Sequence, residues 1–137
     1  MFAAQDLAGA LAAFRDAVRL EAENAEYRLN LGSVLAAAGN FVEALREFEA
    51  LRAAMPKSTE LANKLGILYV ETAATAKGEQ EFRRAMRQAP QEEGGYLNLA
   101  MLLERLGRKP EAQDVLQKLL AVQPQNARAR QMIEKLR

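Results

Sequence analysis

An internal repeat with one fixed interval constrains the fold of this chain more than any other feature of the sequence. Pro56, Pro90 and Pro124 are equally spaced, and the step from each proline to the next defines the repeat interval. The same interval relates five further columns of small or apolar residues: Gly32, Gly66 and Ala100; Leu31, Leu65, Leu99 and Ile133; Ala10, Ala44, Gly78 and Ala112; Phe14, Phe48, Phe82 and Leu116; and Ala17, Leu51, Ala85 and Leu119. Because all six columns share one register, the sequence predicts a chain built from one repeated unit.

Each unit has the pattern of two helices separated by a short break. Apolar residues recur at helical spacing before Gly39 and again after Asn40. We expect Gly39 to end the first helix, and Asn40 to cap the second in a capping box completed by Glu43. Gly107 predicts the equivalent break in the third unit. In the middle unit Ala73 replaces this glycine, so the turn there departs from the pattern.

Composition supports closely packed helices. Alanine makes up 27 of the 137 residues and only 6% are aromatic, which is typical of helices rather than sheets. Gly32 and Gly66 are expected to admit a neighbouring helix, while Phe48 and Phe82 fill the space beside them. A proline inside a helix costs about 3 kcal/mol. The prolines at the repeat interval are therefore expected to follow the second helix of each unit.

The composition also excludes several classes of chemistry. The chain has no Cys, His or Trp, which rules out thiol nucleophiles, disulfides, imidazole catalysis and Cys/His metal sites. Its acidic residues fall at solvent-facing positions of the helical pattern, and Gly94-Gly95 lacks the context of a phosphate-binding loop. We therefore predict no enzyme activity, no cofactor and no metal site.

Charge and hydropathy bear on partners and compartment. The formal net charge of +1 gives no general attraction to nucleic acid or an anionic membrane. No apolar run approaches the roughly 20 residues that cross a bilayer, and residues 1–10 do not resemble a signal peptide. We predict no nucleic-acid binding, no membrane insertion and a cytoplasmic location. The periplasm stays open as an alternative, because a lack of cysteine fits both compartments.

The unit resembles the tetratricopeptide repeat, a helix-turn-helix unit of about 34 residues. Leu31-Gly32, Leu65-Gly66 and the turn Gly39-Asn40-Phe41 carry this resemblance, and Leu99-Ala100 is a variant of the same doublet. The resemblance implies an all-α fold, a right-handed superhelical solenoid of antiparallel helix pairs in a single domain over 1–137. The predicted divisions are a half repeat at 5–24, full repeats at 25–58, 59–92 and 93–126, and a capping helix at 127–137.

The resemblance also implies that the first helix of each pair lines a concave groove, which binds an extended peptide or a partner helix. After positions needed for packing are set aside, the predicted peptide-binding residues are Leu29, Asn30, Ser33, Asn63, Lys64, Ile67, Leu97, Asn98, Met101 and Arg105. The apolar members suit the hydrophobic side chains of a partner segment. The alternative is that these apolar side chains, Ile67 among them, belong to the packed core.

In some members of the family, asparagines in this groove form a ladder along the backbone of the bound peptide. That role carries over to Asn30 and Asn98, whereas Lys64 interrupts the ladder and favours an acidic group. The alternative is that both asparagines only solvate the inner face. The cluster of cations that holds a terminal carboxylate in other members is mostly absent here.

The sequence predicts different surfaces for the two ends of the chain. The N-terminal helix is predicted to leave one apolar side bare, formed by Leu7, Ala10, Leu11, Phe14, Ala17 and Val18. This side indicates either a piece of a longer repeat array, which we favour, or a homo-oligomer in which a second copy covers it. The arginine-rich face of the last helix is interpreted as a solvated surface. These features are typical of a scaffold or adaptor, and the excess of Ala and of Arg over Lys suggests a bacterial source.

Overall fold

The computed structural model describes the backbone of residues 4–137 and the side chains from Asp6 onward. Residues 1–3, part of the segment tested for a signal peptide, lie outside the described residues. The eight helices of the described part are α1 (Ala4–Leu20), α2 (Ala25–Ala37), α3 (Phe41–Leu51), α4 (Thr59–Glu71), α5 (Thr75–Gln88), α6 (Glu93–Arg105), α7 (Lys109–Val122) and α8 (Ala127–Leu136). No helix among them is both long enough and apolar enough to cross a bilayer.

The helices recur at the interval found in the sequence. Four of them begin one repeat interval apart, at Ala25, Thr59, Glu93 and Ala127. Each helix packs against the next one in the chain, and α4 also contacts α6. Antiparallel hairpins therefore stack in a row, with α2, α4, α6 and α8 along one side. These helix starts follow the interval of the sequence repeat, and the division into repeats stays a prediction.

The prolines lie where the pattern places them. Pro56, Pro90 and Pro124 follow α3, α5 and α7, the second helices of the pairs. Pro110 lies in the first turn of α7, where its missing N–H would have no helical partner. Pro56, Pro90 and Pro124 thus separate units, and none of the prolines interrupts a helix.

The predicted capping box at α3 is wrong. Asn40 precedes this helix, but its side chain makes no capping hydrogen bond, and its backbone (φ −85°, ψ 64°) is not the extended conformation of a side-chain cap. Glu43 instead pairs with Arg15 of α1, with 2.7 Å between Arg15 Nη1 and Glu43 Oε1. Side-chain caps occur before α2, α4 and α8, where each accepts a hydrogen bond from the backbone N–H three residues later: Asn24, Ser58 and Asn126.

The breaks within the three units share one backbone conformation. Gly39 and Gly107 have φ of 84° and 75°, and Ala73 has φ of 65°. An L-residue in this left-handed region costs roughly 1–2 kcal/mol, a cost that glycine avoids. The middle unit therefore keeps the turn but carries strain at Ala73.

Relieving this strain is expected to stabilise the protein. We predict that Ala73→Gly raises the free energy of unfolding by about 0.5–1 kcal/mol, because relief of the left-handed strain exceeds the added entropy of the unfolded chain. Urea denaturation followed by circular dichroism measures this change. Gly39→Ala is the matched control, since a Cβ there meets nothing within 4 Å, and it should destabilise by a similar amount. Equal stability of Ala73→Gly and the parent chain would contradict the prediction.

Two clusters of buried side chains form the core. The first includes Leu35, Phe48 and Leu65, and the second includes Leu99 and Leu116. The predicted close approach is present in the first two units, because a Cβ on Gly32 or Gly66 would overlap the ring of Phe48 or Phe82, respectively. Small residues at this column therefore set how near the paired helices lie.

Ion pairs join the second helices of successive hairpins, away from the side formed by α2, α4, α6 and α8. They connect Arg15 with Glu43, Arg52 with Glu81, and Arg108 with Glu79. The hydrogen bond from Arg108 lowers the pKa of Glu79, and a second one from Arg83 acts in the same direction. These ion pairs connect neighbouring hairpins.

Candidate functional site

A continuous groove runs along the side formed by α2, α4, α6 and α8. It consists of three hollows, with volumes of roughly 180 Å³ between α2 and α4, 260 Å³ between α4 and α6, and 310 Å³ between α6 and α8. Ile67 lines the first and second hollows, and Asn98 and Met101 line the second and third. Because adjacent hollows share residues, they form one groove.

Most of the predicted binding residues line this groove. Seven of the ten do so, namely Ser33, Lys64, Ile67, Leu97, Asn98, Met101 and Arg105. The other three lie beside the hollows. Leu29 is partly buried against the first core cluster, Asn30 is partly buried on α2, and Asn63 is bonded to Asn98. Their binding roles stay predictions.

The centre of the groove is apolar and open. Ile67 and Met101 stand one repeat interval apart in the sequence and keep 47% and 53% of their surface exposed. Leu97 differs from them, because it is only 8% exposed and belongs to the core cluster that α8 completes. Leu97 therefore forms the floor of the third hollow, and Ile67 and Met101 offer the accessible apolar surface.

The predicted asparagine ladder, Asn30 and Asn98, is only partly available to a ligand. The Asn98 side chain donates a hydrogen bond to Asn63, with 3.1 Å between Nδ2 and Oδ1, and so joins α6 to α4. A carboxamide has two donors and one oxygen with two lone pairs, so Asn98 retains one N–H and its oxygen for a ligand. Asn30 lines none of the three hollows. The column therefore presents only Lys64 and Asn98 to the groove.

Sequence reasoning missed the contribution of α8. Its buried face packs on the core through Ala129, Ile133 and Leu136, as expected for a capping helix. Its other face lines the third hollow with Arg128, Gln131, Met132 and Lys135. The repeat interval would have identified them, because Met132 and Lys135 lie one interval after Asn98 and Met101.

The groove carries more positive than negative charge. The cations that line its hollows are Lys64, Arg105, Arg128 and Lys135, and the carboxylates are Glu71 and Glu93. Among the side chains that the structure describes, no charged or polar residue is buried. No group of three possible metal-ligating side chains occurs in the described residues either. The arrangement suits the binding of an extended ligand with an acidic part.

Comparison with known sequences identifies one family. The family model for the tetratricopeptide repeat matches residues 1–68 and again residues 69–136. No curated protein matches the chain by sequence.

Solved structures share the fold at low sequence identity. A crystal structure of MamA is 20% identical with a TM-score of 0.83, over 96% of this chain and 77% of that one. A tetratricopeptide repeat protein from Parabacteroides merdae is 23% identical with a TM-score of 0.83, over 96% of this chain and 54% of that one. The first TPR of Spaghetti (RPAP3), bound to the HSP90 peptide SRMEEVD, is 18% identical with a TM-score of 0.72, over 83% of this chain and 93% of that one. These similarities confirm the predicted all-α, right-handed solenoid of antiparallel helix pairs.

Proposed function

The chain belongs to the tetratricopeptide repeat family, and we propose that it is a non-enzymatic protein–protein interaction module whose groove binds an extended peptide or a partner helix. The observation that carries this proposal is the exposure of Ile67 and Met101, two large apolar side chains in one column of the groove. Burying apolar surface stabilises a complex by about 25 cal/mol per Å². A partner with apolar side chains would therefore gain affinity at the centre of the groove.

The surroundings of this apolar centre support the same function. Polar and charged side chains, including Ser33, Lys64 and Asn98, lie on either side of it. An apolar centre with a polar rim is typical of protein interfaces. The first TPR of Spaghetti (RPAP3), which shares the fold, is bound to an HSP90 peptide, and this relationship favours a peptide ligand for the present chain.

Selection from a random peptide library tests the proposal. Peptides are displayed with fixed flanking residues at both ends and selected on the purified chain, and their affinities are measured by isothermal titration. We expect enriched peptides to bind the variant carrying Ile67→Ser and Met101→Ser at least tenfold more weakly, since both apolar contacts are lost.

The matched control replaces two apolar side chains that lie outside the groove. Val42 and Leu106 are 66% and 45% exposed, so Val42→Ser with Leu106→Ser removes similar surface elsewhere. This control should bind as the parent chain does. The proposal fails if the library yields no enriched peptide, or if both double variants lose affinity equally while their melting curves stay unchanged.

Self-association through α1 is a second candidate function. Ala44, Phe48 and Leu51 of α3 are at most 2% exposed, whereas the residues at the same columns of α1 remain partly exposed: Ala10, Phe14 and Ala17. The bare side is smaller than predicted, because Leu11, Phe14 and Val18 pack against the first core cluster. A second copy that covers this face would produce a homo-oligomer. Sedimentation at two concentrations tests this candidate, and a single monomeric species at both concentrations would exclude it.

A further inference from the structure

We infer that the hollow between α6 and α8 is a subsite for one acidic side chain that neighbours a long apolar side chain in the partner. The inference rests on the proposed peptide-binding function and adds the chemistry of the ligand at this end of the groove. It is carried by the position of α8, by the apolar floor of the hollow and by its excess of cations.

The position of α8 makes the hollow part of the groove. This helix begins one repeat interval after α6, and its side chains at Met132 and Lys135 continue the columns of Asn98 and Met101. A peptide that lies along α4 and α6 therefore meets α8 next.

The floor of the hollow accepts a long apolar side chain. Leu97 closes it from below, and Met101 and Met132 line its walls. Methionine has three rotatable bonds and a polarisable sulfur, so two methionines adapt to side chains of different shapes.

The charges of the hollow select an acidic neighbour. Arg128 and Lys135 line it together with one carboxylate, Glu93. Glu93 already accepts a hydrogen bond from Asn126, with 2.6 Å between Asn126 Nδ2 and Glu93 Oε2, and lies 3.6 Å from Arg128 Nη1. In the described part of the chain Lys135 has no ion-pair partner within 4.0 Å. A carboxylate from the partner would balance this excess and form charge-assisted hydrogen bonds.

The neighbouring hollow between α4 and α6 is less suited to the acidic group than the hollow between α6 and α8. The hollow between α4 and α6 has one cation, Arg105, and one carboxylate, Glu71, so its charges already balance. A ligand that fills the subsite therefore places its apolar residues over Ile67 and Met101 and its acidic residue toward α8, while Lys64 in the hollow between α2 and α4 is a separate cation.

A thermodynamic cycle with library-selected peptides tests the subsite. Peptides enriched on the parent chain should carry Asp or Glu beside Leu, Met, Ile or Phe. Arg128→Gln with Lys135→Gln should weaken binding of such a peptide about tenfold at low salt, and less at high salt because ions screen the exposed charges. Replacing the peptide's acidic residue by its amide should weaken binding to the parent chain equally, but should not weaken binding to the double variant further.

The matched control removes two cations that do not line the hollow, one in α8 and one directly after it. Arg130→Gln with Arg137→Gln changes the net charge by the same amount and should leave affinity unchanged. Enriched peptides without an acidic residue, or a cycle without coupling, would overturn the subsite and leave the proposed function intact. Binding that requires a free C-terminal carboxylate would also overturn the subsite. Absence of any enriched peptide would overturn both.

Discussion

Replacing Gly66 by alanine is expected to lower the free energy of unfolding by about 2 kcal/mol, although alanine is the better helix former by about 1 kcal/mol. A Cβ at this position would lie within 3.0 Å of three ring atoms of Phe82, a residue that is itself buried. The ring cannot move away without displacing its neighbours, so overpacking outweighs the gain in helix propensity. Urea denaturation of the purified variant measures the loss.

A second substitution should relieve this overlap. The third unit carries Ala100 and Leu116 in the columns of Gly66 and Phe82, and both are fully buried. Phe82→Leu alone is expected to cost about 1 kcal/mol through a small cavity. The double variant, Gly66→Ala with Phe82→Leu, should be more stable than the sum of the two single changes predicts, with a coupling energy of about 1–2 kcal/mol. Additive losses would contradict the view that this column sets the distance between paired helices.

Replacing Ile133 by aspartate is expected to cost about 4 kcal/mol, the largest effect that we predict for a single substitution. Ile133 is 6% exposed on the face of α8 that packs on the second core cluster. The change removes a buried apolar side chain and introduces a charge there, so α8 should detach from the core. Amide hydrogen exchange should show lost protection in α8 with little change in α2.

The neighbouring position supplies the control for this prediction. Glu134 is exposed, and Glu134→Gln should change stability by no more than about 0.5 kcal/mol. If Ile133→Asp left α8 protected from exchange, the docking of α8 on the core would not depend on this side chain.

Most of the fold followed from the repeat interval, because the positions that build the core recur with it. Leu31, Leu65 and Leu99 are buried in successive units, and the turn at Ala73 keeps the shape of those at Gly39 and Gly107. The hydrogen-bond and ion-pair partners of individual side chains were less predictable. Asn40 and Glu43 have the spacing of a capping box, but Arg15, distant in sequence, binds the Glu43 carboxylate. A local motif says nothing about such a competing partner.

The sequence predicted the residues of the groove about as well as it predicted the fold. Helical spacing together with the family resemblance placed Ile67 and Met101 on the groove, with a core position as the alternative, and both are exposed. The sequence did not reveal that Asn63 and Asn98 bond to each other, since this contact depends on the distance between α4 and α6. Lys135 was overlooked because the last helix was interpreted as a cap, although a cap can also line the groove.

The stacking of each helix on its sequence neighbours has a consequence for how the chain reaches its native state. The main contacts in the described part join helices that follow one another, with α4 and α6 as the next-nearest pair. Only short stretches of chain must close for such contacts to form, so little entropy is lost before a contact becomes favourable. We expect rapid folding that starts at any adjacent pair of helices and grows outward. Loosening of one end should leave the far hairpins folded.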